Sequence, residues 1–318
     1  MNTGLAGKPL ATGPELSHHA LIYRSTEEFL AGAVPFCRDG LAADEKVLVV
    51  TTPENIESLS AAVAGVEFAD SRRWYDAPGR ALAAYNRYVD THGTAHRRVR
   101  ILGEPVWQDR GPAETAEWTR YESVLNAAFA DRPVWIVCPY AARALPRGVV
   151  ADAHRTHPHL LSGAGAYRSI AYTEPDAFTC ADDHLPLPPP PADTLNIAFD
   201  DDLRLMRNQL TVYAKLLALP VEQVERLLLA VSELAANALE HGGGHGRVQL
   251  WADGEHLVCD VTDPGRMEVP YPGYLPPSPA APRGQGLWVV RQLCELVEIR
   301  TNVAGDHGTQ IRLRMSPA

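Results

Sequence analysis

Apolar side chains recur at helical spacing through Val221, Val224, Leu227, Leu228, Val231, Leu234, Ala235 and Ala238. That spacing predicts a helix with one face on a core. On the same segment Glu233, Asn237 and His241 stand four residues apart and share one slowly drifting polar face. Gly242-Gly243-Gly244 then ends the helix in a pliable turn. Beyond it the period shortens to two. Residues 247–251 and 256–262 alternate like strands about turn residues at 252–255, which predicts a hairpin ending in Asp263-Pro264-Gly265. A proline-rich loop runs to about Arg283, and Gly284-Gln285-Gly286 opens a second helical pattern over 287–296. Residues 297–303 and 309–315 predict another hairpin about 304–308. Upstream, a short strand at 195–199 leads into a helix at 201–219. Its apolar positions Leu203, Met206, Leu210, Tyr213, Leu216 and Leu217 suit packing on the domain's own sheet, which we favour, or a homodimer seam.

The N-terminal half patterns differently. Residues 46–51 and 134–138 are short apolar runs bounded by turn residues, as buried parallel strands are. Helical patterns lie at 25–38, 53–64, 79–92 and 113–130. The alternation predicts a three-layer α/β domain over 15–181. Residues 1–14, small and Gly-rich, form a loose N-terminus. The proline run Pro186 to Pro191 marks 182–193 as a semi-rigid linker. Residues 194–318 then form a separate α+β domain, a two-layer sandwich, and 318 residues suit two domains.

Composition narrows the function classes. A net charge of −10 argues against direct, sequence-independent nucleic-acid binding. No apolar run reaches membrane-spanning length, and the N-terminus lacks the blocks of a secretion signal. The five cysteines, Cys37, Cys138, Cys180, Cys259 and Cys294, show no paired metal spacing. They read as buried, reduced thiols of a cytoplasmic protein.

A carboxylate and a carboxamide one helical turn apart supply a proton acceptor and a hard oxygen ligand for magnesium. A carboxylate at a strand end followed by a glycine suits a donor such as an adenine amine. Paired glycines opening a helix put free amides against phosphate. In this order and spacing, residues 194–318 resemble the ATP-binding (GHKL) domain of gyrase-type, chaperone, histidine-kinase and mismatch-repair ATPases, with its Bergerat-type ATP site. Within that group the chain is most similar to bacterial anti-sigma factor serine kinases. The resemblance implies ATP and Mg2+ as cofactors, Glu233 as general base and Asn237 as magnesium ligand. It further implies Asp263 and Gly265 at the adenine, Gly284 and Gly286 on the phosphate-side lid, His241 and Leu287 beside the nucleotide, and Gly308 and Thr309 under the adenine pocket. Met267 departs from the pattern, since the family usually has a glycine there. The implied partners are a sigma factor and a STAS-type antagonist phosphorylated on serine. A sensor histidine kinase is disfavoured, because no histidine lies between His184 and His241 and the connector is too short for a phosphoacceptor hairpin. An ATP-dependent regulator that binds without phosphotransfer is the rival, kept open by Met267 and the prolines of 264–282.

The phrases Ser17-His18-His19-Ala20-Leu21-Ile22-Tyr23, Gly103-Glu104-Pro105-Val106-Trp107 and Trp118-Thr119-Arg120-Tyr121-Glu122-Ser123-Val124-Leu125-Asn126 carry a second resemblance. With Cys138-Pro139-Tyr140, Leu145-Pro146 and Thr156-His157-Pro158 they resemble the MEDS sensory domain of methanogen and methylotroph regulators, related in fold to RecA-like domains. This implies sensing of a small-molecule or protein signal. Ala141 stands where the family usually has an aspartate. No Gly-x-x-x-x-Gly-Lys-Ser/Thr loop is present, so nucleotide hydrolysis is not expected in this half. His154, His157 and His159 lie close in sequence, and at most one of His18 and His19 could join them, since adjacent strand residues face opposite ways. That spacing supplies no converging geometry, and no metal is expected there. Trp74, Tyr75, Trp107, Trp118 and Tyr121 read as core in preference to a sensing pocket.

Overall fold

The computed structural model describes residues 15–162, 165–180, 183–254, 256–277, 284–301 and 308–316. They fall into two compact units. The first runs to Phe178 without Ala77–Arg80; the second takes those four residues and everything from Thr179. Residues 1–14, 278–283 and 302–307, with the N-terminal, proline-rich-loop and hairpin-turn expectations that fall on them, lie outside the described residues.

The first unit opens with β1 (Ser17–Tyr23), α1 (Thr26–Ala42), β2 (Lys46–Thr51), α2 (Pro53–Ser60), β3 (Glu67–Asp70) and α3 (Ser71–Trp74). It continues through α4 (Pro78–His92), β4 (Val99–Gly103), α5 (Pro112–Ala128) and β5 (Val134–Ala141). It closes with α6 (Arg147–Thr156), β6 (His159–Ser162), β7 (Gly165–Arg168) and α7 (Pro175–Thr179). The sheet order is β3-β2-β4-β5-β1-β6-β7. Every neighbouring pair is parallel except the antiparallel β6–β7. Val47, Leu48, Val49 and Val50 are all buried. That is why β2 reads as an unbroken apolar run: both faces of a parallel sheet are covered. Ser25 and Thr52 cap α1 and α2 by accepting the amides of Glu28 and Asn55, and Pro53 occupies the first turn of α2. Past the end of β4, Glu104 accepts from Tyr23 Oη at 2.5 Å, from Asn55 Nδ2 at 2.9 Å and from Thr51 Oγ1.

Tyr75, Trp107, Trp118 and Tyr121 are buried, whereas Trp74 is half-buried. Two sequence expectations need correcting. Cys180 is exposed, just past the end of α7, while the other four cysteines are buried. His18 and His157 do converge, with ring centroids 4.1 Å apart, because β1 is central in the sheet and α6 ends against it. His19 faces the other way, beside His159 and Trp135.

The second unit comprises β8 (Leu195–Phe199), α8 (Leu203–Leu216), α9 (Val221–His241), β9 (Gly246–Asp253), β10 (His256–Asp263), α10 (Gly286–Leu293), β11 (Leu296–Thr301) and β12 (Thr309–Met315). Its strands run β11-β12-β10-β9-β8, antiparallel throughout. Alternation sends Leu257, Cys259 and Val261 of β10 into a core shared with Leu227, Val231, Leu234 and Ala238 of α9. The other face carries Asp260, which accepts two hydrogen bonds from Arg312, at 2.6 and 2.7 Å, and one from Gln310. Arg312 also donates to the Pro188 carbonyl, and Asp183 accepts from the Thr301 amide. The proline-rich connector therefore lies on this unit's sheet. On α8, Met206 and Leu210 are buried in the unit's own core, with Leu203, Tyr213 and Leu217 packed against it; Leu216 turns outward, 77 % exposed. Among the described residues no helix is long and apolar enough to cross a membrane.

Candidate functional site

Two glycine-walled ends define the site of the second unit. Asp263 ends β10 in register with Thr309 of β12. Its Oδ1 accepts the Gly265 amide at 2.8 Å, and Thr309 Oγ1 donates to the Gly265 carbonyl at 3.0 Å. A Cβ on Gly265 would lie 2.9 Å from the carbonyl oxygen of His241, so the turn and the end of α9 meet backbone to backbone. Gly308 is also tight against backbone, its Cβ position being 3.2 Å from the Asp263 carbonyl oxygen. Burial raises the Asp263 carboxyl above its ordinary range, opposed by the Gly265 amide and by nearby His245.

At the other end Gly286 begins α10. Its N-cap, Gln285, makes no side-chain cap bond, so the first-turn amides have no side chain competing for them. A Cβ on Gly286 would lie 2.8 Å from Glu233 Oε2 and 3.3 Å from Asn237 Nδ2. The start of α10 thus sits directly over the polar face of α9.

Between the two ends lies a cavity of about 480 Å³ with Leu234, Val261 and Ile311 as apolar floor. Of the residues singled out in the sequence, Asn237, His241, Asp263, Gly265, Gly284, Gly286, Leu287 and Thr309 all line it. Glu233 and Gly308 do not; each stands one residue behind the wall, Glu233 under Gly286 and Gly308 under Asp263. His241 contributes from an exposed position. Met267 lines the cavity and also packs on the core.

The brace that holds the loop after β10 is nearly invisible in the sequence. Arg291 of α10 donates through Nε to the Pro272 carbonyl at 2.8 Å, and its guanidinium lies 3.8 Å from the centre of the Tyr274 ring. Gly273, at φ 72°, brings its backbone against Leu287, where a Cβ would stand 2.9 Å from the Leu287 Cβ. The described part of the proline-rich loop is therefore fastened to α10. An arginine in an apolar helical run is the one trace this leaves in the sequence. Chemically, the cavity offers a carboxylate acceptor at one end, an apolar floor, and helix-start amides beside a carboxamide at the other.

A parallel-cored α/β unit is thus followed by an antiparallel sheet with helices and such a cavity. The family models give the particular names. The chain carries a MEDS domain, the MEthanogen/methylotroph, DcmR Sensory domain, at residues 17–158, and a Histidine kinase-like ATPase domain at residues 198–315. None of the curated proteins matches it. Among solved structures, the RsbU and RsbW domains of Rv1364c from Mycobacterium tuberculosis align at 21% identity over 40% of this chain and 33% of that one, with a TM-score of 0.30.

Proposed function

We propose that this is a cytoplasmic signalling regulator in which a sensory domain over 15–181, RecA-like and three-layered, controls a serine kinase domain over 194–318, a two-layer sandwich with a Bergerat-type site. The 182–193 connector joins them. The observation that carries the reading is one cavity with Asp263 at one end and the start of α10 beside Asn237 at the other. An adenine amine would donate to the Asp263 carboxylate, and the phosphates of ATP would lie along the amides from Gly284 to Gly286. A Cβ at Gly286 would press on Glu233 and Asn237. Asn237, in the cavity wall, is the hard oxygen donor suited to Mg2+. When bound, that ion offsets phosphate charge.

Glu233 would accept the proton of the substrate serine hydroxyl. The serine oxygen bonds to the γ-phosphorus as the β–γ bridging oxygen leaves with ADP. Serine is favoured over histidine as acceptor because no histidine lies between His184 and His241 and α8 follows β8 directly. The resemblance to anti-sigma factor kinases names the partners: a sigma factor that is sequestered, and a STAS-type antagonist that is phosphorylated. A signal at the sensory domain acts as a population shift and must bind the two states with different affinity.

One observation favours a second reading, ATP-dependent binding without phosphotransfer: Glu233 stands outside the cavity wall and Met267 stands in it. The test is transfer of labelled γ-phosphate to a STAS-type antagonist by wild type and Glu233→Ala. Transfer to serine that disappears in the variant, with ATP still bound, supports the kinase. Bound ATP without transfer, and regulation that survives in Glu233→Ala, assigns the protein to the binding-only class.

A further inference from the structure

Four buried side chains of the first unit converge from separate elements. His18 lies on β1, Glu122 on α5, Cys138 on β5, and His157 directly follows α6. None is more than 1 % exposed. One ligand atom from each lies within 4.8 Å of every other. Cys138 Sγ is 3.4 Å from His18 Nε2, His157 Nε2 is 3.3 Å from Glu122 Oε2, and His18 Nε2 is 4.0 Å from the same oxygen. A tetrahedral ion with bonds of ~2.0–2.3 Å requires edges between its ligands of ~3.3–3.8 Å. Two of these distances already fall in that range, and the remaining pairs lie within 4.8 Å.

The protons are arranged to match. Asn126 donates its amide to the Ser123 and Thr156 carbonyls, which leaves its Oδ1, 2.9 Å from His18 Nδ1, to accept. Thr156 Oγ1 donates to the Asp152 carbonyl, so His157 Nδ1 donates to the Ala153 carbonyl at 2.9 Å. Both imidazoles therefore turn a bare Nε2 lone pair into the cluster, as metal-bound histidines do when an outer partner fixes the tautomer. His157 Nε2 faces Glu122 Oε2 with no hydrogen between them, while the Cys138 thiol and the Tyr140 hydroxyl lie within reach of the Glu122 carboxyl. Two unshared acceptors facing each other away from water repel, unless a cation or a proton lies between them.

We propose that His18, Glu122, Cys138 and His157 bind one divalent transition-metal ion of the zinc class within the sensory domain. Two neutral imidazoles, a carboxylate and a thiolate around a dication leave no net buried charge. Without the ion, burial opposes every charged form: it lowers His18 and His157 to about 3, raises Glu122 to about 7 and holds the Cys138 thiol well above its ordinary range. Four protein ligands close the coordination sphere, so the ion ties β1 and β5 to α5 and α6 and does no catalysis. The inference is independent of the kinase reading.

The test uses the untagged full chain, stripped with chelator in denaturant and refolded with Co2+ or Zn2+. Wild type is expected to retain one equivalent, to melt higher than the metal-free chain, and to show with Co2+ a thiolate-to-metal charge-transfer band. Cys138→Ser should fold and lose that band. Cys138→Ser and Glu122→Gln should each weaken binding by more than the ~10–100-fold that loss of an outer partner costs. Folded wild type that retains no metal overturns the proposal, as does one equivalent bound without the charge-transfer band. If a variant fails to fold, wild-type stoichiometry and spectrum decide alone. In the overturned case the cluster is a proton-sharing group, the thiol donating to His18 and a protonated Glu122 to His157.

Discussion

Gly286 lies so close over Glu233 that a methyl group in place of its hydrogen would stand 2.8 Å from the Glu233 Oε2 atom. The obstacle is the far end of a flexible side chain, so Gly286→Ala should fold, with the carboxylate pushed aside. In the kinase reading this moves the proton acceptor and leaves the adenine end untouched. We expect phosphotransfer to fall by about tenfold, roughly 1.4 kcal/mol of barrier. ATP affinity should change much less. Equal losses in both would place the glycine's role in nucleotide binding alone.

Asp263 carries a cost that the proposed adenine contact would explain. Burial raises its carboxyl pKa in the folded chain. The folded state therefore holds that proton more tightly than the unfolded state, and stability falls as pH rises from the unfolded value, about 3.9, through the raised folded one. Above that window the penalty is constant. Asp263→Asn abolishes it while keeping an oxygen for the Gly265 amide. Thermal melting across pH should show the variant at least as stable as wild type at neutral pH, with its advantage shrinking as acid protonates Asp263. ATP binding should move the opposite way, weakening on the order of tenfold or more with loss of a charge-assisted hydrogen bond.

Arg291 fastens the loop that closes one side of the cavity, through the Pro272 carbonyl and the Tyr274 ring. Lysine preserves the charge but neither the planar stacking nor the forked donors. Arg291→Lys should leave the second unit folded and make the loop over 264–277 open to protease. Nucleotide release should quicken in stopped-flow measurements. An unchanged cleavage pattern would show that Gly273 against Leu287 suffices to hold the loop.

The second unit was largely legible because its signals are local. β8 and β12 match the alternating segments at 195–199 and 309–315, and the polar face Glu233-Asn237-His241 stands on α9 as its spacing requires. α10 stops at Leu293, three residues short of the pattern, because Leu296 already belongs to β11. What the sequence hid is long-range. The connector reads as a semi-rigid linker with no partner named, yet Pro188 is held by Arg312, 124 residues away. β6 and β7 have four residues each, too few to show a period. The buried cluster in the first unit is hidden for the same reason. In sequence His157 stands with His154 and His159, and at most one of His18 and His19 could join them, whereas the structure sets it against His18, Glu122 and Cys138. Glu122 sits between Tyr121 and Ser123 on α5 and looks like any helical carboxylate until its burial is known.

The central claim is that the cavity between Asp263 and Gly286 binds ATP with magnesium. Calorimetric titration of the folded full chain with ATP, with and without Mg2+, tests it most directly when wild type is run beside Asn237→Ala and Asp263→Asn. We expect one site in wild type, with Asn237→Ala losing mainly the magnesium-dependent part of the affinity and Asp263→Asn weakened whether or not the ion is present. No heat and no competition at millimolar ATP, in protein that melts cooperatively, would contradict the account and leave the second unit a partner-binding scaffold.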